Sequence, residues 1–272
     1  MVIFPNCKIN SGLHIIRKRK DGFHDLETIF YPVPLCDALE IIHVPGNTGE
    51  TTITVTGLAI DNSLTENICL KAYYLLQKDF ELPVVQIHLH KNIPVGAGLG
   101  GGSSDGAFTL LLLNKKFNLK ISEEKLIEYA LELGSDCPFF IKNKICFATQ
   151  RGEILQPIQL DLSTYKLVLI NPGIHISTGW AFSQIRPKEN KASLLEIIQQ
   201  PITNWKNNLA NDFEPAIFEQ HPSIKQIKEQ LYQNGAFYAA MSGSGSSVYG
   251  LFEKNSKPVL DLLENYFIKW LI

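Results

Sequence analysis

The stretch PVGAGLGGGSSDGA, Pro94 to Ala107, holds six glycines and two serines and runs straight into FTLLLLN. Glycine admits positive φ and lets a ligand approach the main chain, while a helix start offers unpaired N–H groups and a partial positive charge. Bare backbone at the mouth of a helix is therefore an anion site, suited above all to phosphate. The helix that follows is apolar on every side, so it is predicted to be buried and to hold its N-terminus rigid and dry. A plain flexible loop, or glycines needed only for close packing, is the alternative reading.

Two familiar nucleotide motifs fail against this loop. Gly96, Gly98 and Gly101 satisfy GxGxxG, but a dinucleotide fold also needs an acid about 20 residues on, at the end of a second strand. The sequence there, NLKISEEKL, reads as another helix start. No Gly-Lys-Ser/Thr occurs, which excludes a P-loop, and no His-Arg-Asp or Asp-Phe-Gly set occurs, which excludes a protein kinase.

Other reactive residue types are sparser. His88 and His90 share one face of a predicted strand, yet no third metal ligand lies near them in sequence. Cys7, Cys36, Cys69, Cys137 and Cys146 are odd in number and lack CxxC spacing, so buried thiols are expected rather than disulfides or zinc. The cluster Arg17 to Lys20 beside Asp21-Gly22 reads as a solvated hairpin tip.

The elements that must position the loop follow from periodicity. INSGLHIIRKRKDGFHDLETIFYPV is a predicted hairpin, DALEIIHV and TTITVTG are strands, and LTENICLKAYYLLQKDF spaces Ile68, Leu70, Tyr74, Leu75 and Phe80 as a helix face. LPVVQIHLHKNIP is a strand, and ISEEKLIEYALELG is a helix with Ser122 as N-cap and Gly134 as stop. CPFFIKNKICFATQRGEILQPI reads as a hairpin. After a weakly structured 156–165 come a strand YKLVLINPG, helices between about 178 and 233, a hairpin GAFYAAMSGSGSSVYGLF and a closing helix. Grouped strands and helices favour an α+β fold in two lobes over a doubly wound sheet.

The 272 residues, 45% hydrophobic and 19% charged with formal net charge −2, fit an ordinary globular protein without the cationic field that nucleic acid demands. The expectation is a soluble, cytoplasmic protein, because no leader opens MVIFPNCKIN and no stretch nears the ~18 apolar residues of a membrane span.

Four stretches, taken in order, resemble the GHMP kinase superfamily: CKINSGLHIIRKRKDGFHDLETIF, PVGAGLGGGSSDGA, GSDCPFF and MSGSGSSVYGLF. Within it they are similar to the branch that acts on 4-diphosphocytidyl-2-C-methylerythritol in non-mevalonate isoprenoid synthesis, using ATP to phosphorylate the tertiary 2-hydroxyl. The resemblance implies a GHMP kinase N-terminal domain over 1–157, like ribosomal protein S5 domain 2, and a ferredoxin-like C-terminal domain over 158–272. It implies Lys8 and Asp136 as the catalytic pair. Without it, Lys8 reads as a surface lysine with a packed stem, and GSDCP as a helix-ending turn.

ATP is expected along Pro94, Val95, Gly96, Ala97, Gly98 and Leu99, and then along Gly100, Gly101, Gly102, Ser103 and Ser104. Asn67 is expected near the adenine, or else serves as a helix N-cap. Asn10 shares a strand face with Lys8 and suits a hydroxyl or phosphate. His24 matches a cytosine-binding histidine, and Phe23 stands where the family usually has tyrosine, keeping the stacking face and losing the hydroxyl. Phe182 is either a second aromatic on the cytosine or a core residue. Mg²⁺ is expected to arrive with ATP, and no protein ligand is assigned to it. The expected partners are the cytidyl diphosphate substrate and ATP, with no nucleic acid and no membrane, in a monomer or weak homodimer. The competing readings are a GHMP kinase for another small alcohol and, from a different class, a nucleic-acid-binding S5-like module.

Overall fold

The computed structural model describes residues 1–46, 49–59, 64–187 and 192–271. Its first half contains β1 (Val2–Ile3), β2 (Asn6–Lys18), β3 (His24–Cys36), β4 (Ala38–His43) and β5 (Thr52–Gly57), then α1 (Ile68–Gln77) and β6 (Val85–Lys91). Helices α2 (Gly101–Phe117), α3 (Glu123–Leu133) and α4 (Cys137–Lys142) precede the hairpin β7 (Cys146–Gln150) and β8 (Ile154–Pro157). The second half runs β9 (Tyr165–Asn171), α5 (Thr178–Ser183), α6 (Leu194–Ile198), α7 (Trp205–Asn208), α8 (Glu214–Gln220) and α9 (Pro222–Gln233). It closes with β10 (Tyr238–Met241), β11 (Val248–Glu253) and β12 (Phe267–Leu271).

Two compact units result, and neither is one continuous stretch of chain. The first is Met1–Cys7, Pro34–Val95 and Gly100–Lys144; the second is Lys8–Val33, Gly96–Leu99 and Ile145–Ile272. In the first unit the sheet order is β1-β4-β6-β5, with β5 parallel to β6 and the other pairs antiparallel. Burial alternates strictly along β6, so Val85, Ile87 and Leu89 face the core while His88 and His90 face out. Against this unit's core lies α2, whose Ala107, Phe108, Leu110, Leu112 and Leu113 are all buried. Ser122 caps α3 by accepting from Lys125 N, and Gly134 ends it.

The second unit holds two sheets, β2-β3-β7-β8 and β10-β11-β9-β12. The latter is antiparallel throughout, in the strand order of a ferredoxin-like βαββαβ sheet. A core cluster that includes Ile15, Val168, Ile170, Ile217, Ile227 and Phe252 sits against it.

Three expected elements differ. CPFFIK is α4 rather than a strand: Pro138 sits in its first turn, where a missing N–H costs nothing, and Asn143 stops it at φ 49°. In place of a closing helix, the chain carries no regular element over 256–263, with Leu260 and Leu262 turned toward the core and Val259 and Leu263 outward. That period of two overrides the helical look of PVLDLLENY. Helix α1 ends at Gln77, short of Phe80, and buries Tyr73 while Tyr74 is exposed.

Candidate active site

The expected site residues fall in both units. In the second unit Lys8 is buried, not a surface lysine, at 3% exposure. Its ammonium donates to Asn10 Oδ1 at 2.6 Å and to the carbonyl of Gly98 at 3.1 Å, and lies 5.2 Å from the centre of the Phe30 ring. Asn10 is fixed in turn, donating from Nδ2 to Thr28 Oγ1 at 2.9 Å, while its oxygen also accepts from Ser242 Oγ at 3.4 Å. The alternation along β2 puts both side chains on one face, as their i, i+2 spacing requires. Asn10 thus aims the Lys8 ammonium.

The glycine loop meets the MSGSGSS stretch, 241–247, directly. Ser242 Oγ donates to Gly98 O at 2.8 Å and Ser247 N to Ala97 O at 3.2 Å. Gly98 has φ +76°, and a Cβ there would stand 2.0 Å from Ser242 O, so no other residue fits. Leu99 O accepts from Lys8 N at 3.0 Å, which ties the loop to β2.

Residues that sequence reasoning missed support this corner. Asn211 donates from Nδ2 to Met241 O and to Gly243 O, both at 2.8 Å, fixing the start of the MSGSGSS stretch. His175 stands beside the loop, where a Cβ on Gly96 would lie 3.1 Å from its Nδ1. Its strap is anchored by Ser246 Oγ donating to Ile174 O at 2.6 Å and by the Thr178–Ser244 hydroxyl pair at 3.3 Å. Neither residue carries a spacing signal in the sequence.

The aromatic residues are also in this unit. His24 stacks on Phe182 at 4.8 Å between ring centres and 18° between planes, and Phe182 meets the edge of Phe213 at 5.0 Å. Phe182 therefore packs against the core cluster and is covered by His24. Phe23 is 53% exposed and carries the Arg151 guanidinium 4.8 Å above its ring. Burial and the nearby charge of Lys18 lower the pKa of His24, which favours a neutral imidazole able to donate or accept at a base edge.

In the first unit Asp136 stands half-buried immediately before α4. Helix α2 begins after Gly100, which is left-handed at φ +70° and offers no capping side chain. Its first turn keeps its backbone donors for a ligand. A Cβ on Gly102 would meet nothing within 4 Å, and Ser104 Oγ is buried without a hydrogen-bond partner. An exposed glycine, uncapped N–H groups and an orphaned hydroxyl together fit a polyphosphate. Asn67 is the N-cap of α1, accepting from Cys69 N at 2.9 Å. Among the described residues no group of three His, Cys, Asp or Glu side chains forms a metal cage, and no helix is long and apolar enough to cross a membrane.

The chain is similar to known proteins along nearly its whole length. Residues 67–144 match the GHMP kinases N terminal domain and residues 192–267 the GHMP kinases C terminal family. A 4-diphosphocytidyl-2-C-methyl-D-erythritol kinase of Bacteroides fragilis is 54% identical over 257 residues, covering 94% of each chain. One from Azobacteroides pseudotrichonymphae is 52% identical over 263 residues, covering 95% of this chain and 96% of its own. A crystal structure of 4-(cytidine 5'-diphospho)-2C-methyl-D-erythritol kinase superposes with TM-score 0.80 at 30% identity, over 93% of this chain and 91% of that one. The Methanococcus jannaschii mevalonate kinase, at TM-score 0.66 and 15% identity over 93% and 90% of the two chains, shares the fold. Both GHMP halves are matched in order, and the identity runs nearly end to end, so the chain belongs to the GHMP kinase family of ATP-dependent small-molecule kinases, on its 4-diphosphocytidyl-2-C-methyl-D-erythritol kinase branch.

Proposed function

We propose that this chain transfers the γ-phosphoryl group of ATP to the 2-hydroxyl of 4-diphosphocytidyl-2-C-methyl-D-erythritol, releasing ADP. The observation that carries the reading is the buried Lys8 ammonium, held by Asn10 and by the glycine loop itself through Gly98. A charged amine so fixed stabilises negative charge on a phosphoryl group in flight without reorganising. Asp136 orients the acceptor hydroxyl and takes its proton as the oxygen–phosphorus bond forms and the bond to the leaving β-phosphate oxygen breaks.

In the same reading, residues 94–104 hold the triphosphate, with Asn67 near the adenine, while Asn10 approaches the reacting end of the acceptor. Phe23, His24 and Phe182 bind the cytosine. Mg²⁺ arriving with the triphosphate would neutralise part of its charge, and no protein ligand is assigned to it. The family domains divide near 157/158, since the two family matches fall on either side. The protein works as a monomer or weak homodimer without nucleic acid.

A phosphorylation screen offering ATP with the cytidyl compound, mevalonate, homoserine and galactose tests the assignment. Turnover of the cytidyl compound is expected, and turnover of another acceptor instead would sink it. RNA filter binding across a salt series is expected to show no salt-sensitive affinity.

A further inference from the structure

Three ionisable side chains outside the assigned machinery are buried together in the first unit. Lys91 ends β6, Asp37 precedes β4 and Asp105 lies in α2, and none exceeds 3% exposure. The Lys91 ammonium donates to Asp37 Oδ2 and, at 2.6 Å, to Asp105 Oδ2. Asp37 Oδ1 accepts from the backbone N–H groups of Asn92 at 2.5 Å and Ile93 at 2.8 Å, which fixes the two residues before Pro94. A Cβ on Gly101, the first residue of α2, would stand 2.9 Å from Ile93 Cγ2 and 3.6 Å from Lys91 Nζ. The cluster therefore adjoins both the approach to the glycine loop and the helix start beyond it.

Its charges do not balance. One ammonium faces two carboxylates in a dry interior, and Asp105 Oδ1 is buried with no hydrogen-bond partner. An excess buried charge with a bare carboxylate oxygen is costly, and a single proton removes it. Burial, reinforced by the like charge of Asp37, pushes the Asp105 carboxyl up to about 8 despite the pull of Lys91. Burial pulls Lys91 down, yet Asp105 and Asp37 together hold it above its ordinary value, so the ammonium persists. The other titratable group facing the trio, the Cys69 thiol of α1, is pushed up by burial and stays neutral.

We infer that Lys91, Asp37 and Asp105 form a clamp, neutralised by one proton on Asp105, that positions the first turn of α2 for the triphosphate, with Asp105 as the positioning residue. Loss of that proton puts a net negative charge inside the helix start that receives phosphate, opposing the helix dipole's attraction for the ligand. The link to ATP rests on the function proposed above; the proton on Asp105 does not.

Two measurements on the whole protein separate these claims. Infrared spectroscopy in D₂O between about pH 6 and 9.5 should show the carbonyl stretch of a neutral carboxylic acid that fades toward the alkaline end. Asp105→Asn and Asp37→Asn each balance the charge without a proton and should each lack the band. Calorimetric ATP binding should weaken about fivefold from about pH 7 to 9.5 in the wild type, and this slope should flatten in both variants. The double variant, which strands Lys91, should be destabilised beyond the sum of the single changes. A missing band, or a band that survives both single substitutions, overturns the bound proton. A band with a pH-independent ATP affinity overturns the positioning role, whereas a wild type that binds no ATP at any pH defeats the proposed function and leaves the proton standing.

Discussion

A lysine ammonium at 3% exposure is stable only where acceptors replace its water, and Lys8 finds them in Asn10 Oδ1 and Gly98 O. Those partners explain why the sequence alone leaves Lys8 ambiguous: its burial depends on a carbonyl 90 residues away. Asn10 was legible as a neighbour on one strand face, but its use as the lysine's holder was not, because Ser242 and Thr28 complete the geometry. Asn10→Ala should lower kcat more than it raises the KM for ATP, and should cost about 1–3 kcal/mol in denaturant unfolding by leaving a buried donor unmet. Asp136→Asn should leave ATP binding intact in calorimetry and cut kcat by about 10²-fold or more. An Asp136→Asn enzyme with ordinary turnover would remove Asp136 from the mechanism.

Among the elements, the glycine loop was the most legible and the helices with strong caps came next. Ser122 and Gly134 bound α3 as expected, because local capping chemistry decides those ends. What was not legible was decided by tertiary contact: α4 is only six residues long, and the passage before β12 is held by the core that Leu260 and Leu262 pack against. Two glycines in the loop separate steric need from ligand need. Gly98→Ala forces a left-handed backbone and a clash with Ser242 O, so a marked loss of melting temperature is expected. Gly102→Ala meets open space inside a helix and should hold or raise thermal stability by about 1 kcal/mol. If phosphate lies against that position, its ATP affinity should nevertheless fall, and an unchanged affinity would move the phosphate elsewhere.

At the scale of the whole molecule, the α+β class and the two-domain GHMP fold could be read from the grouping of strands and helices and from the order of four motifs. The interleaving of the compact units could not, because it is set by long-range pairs such as Leu13 with Ala210 and Tyr249 with Asn10. Protonation of Asp105 is also a property of the whole fold. Its folded-state pKa lies above the ordinary carboxylate value, so the native state binds the proton more tightly and its stability falls as pH rises from about 4 toward 8. In thermal melts, Asp105→Asn should therefore gain on the wild type as pH increases across that window. Parallel curves would mean that Asp105 ionises alike in the folded and unfolded chains.

The five points at which the chain passes from one unit to the other also bear on its synthesis. The hairpin that carries Lys8 is translated ahead of its partners Asn211, Asp212 and Tyr249, which emerge from the ribosome some 200 residues later. Until then β2 and β3 lack the C-terminal partners of their unit, a high-contact-order arrangement that delays productive closure. Nascent chains arrested near residue 157 should therefore be open to protease at the Lys8 hairpin, and resistance should appear only once residues beyond 249 have cleared the exit tunnel.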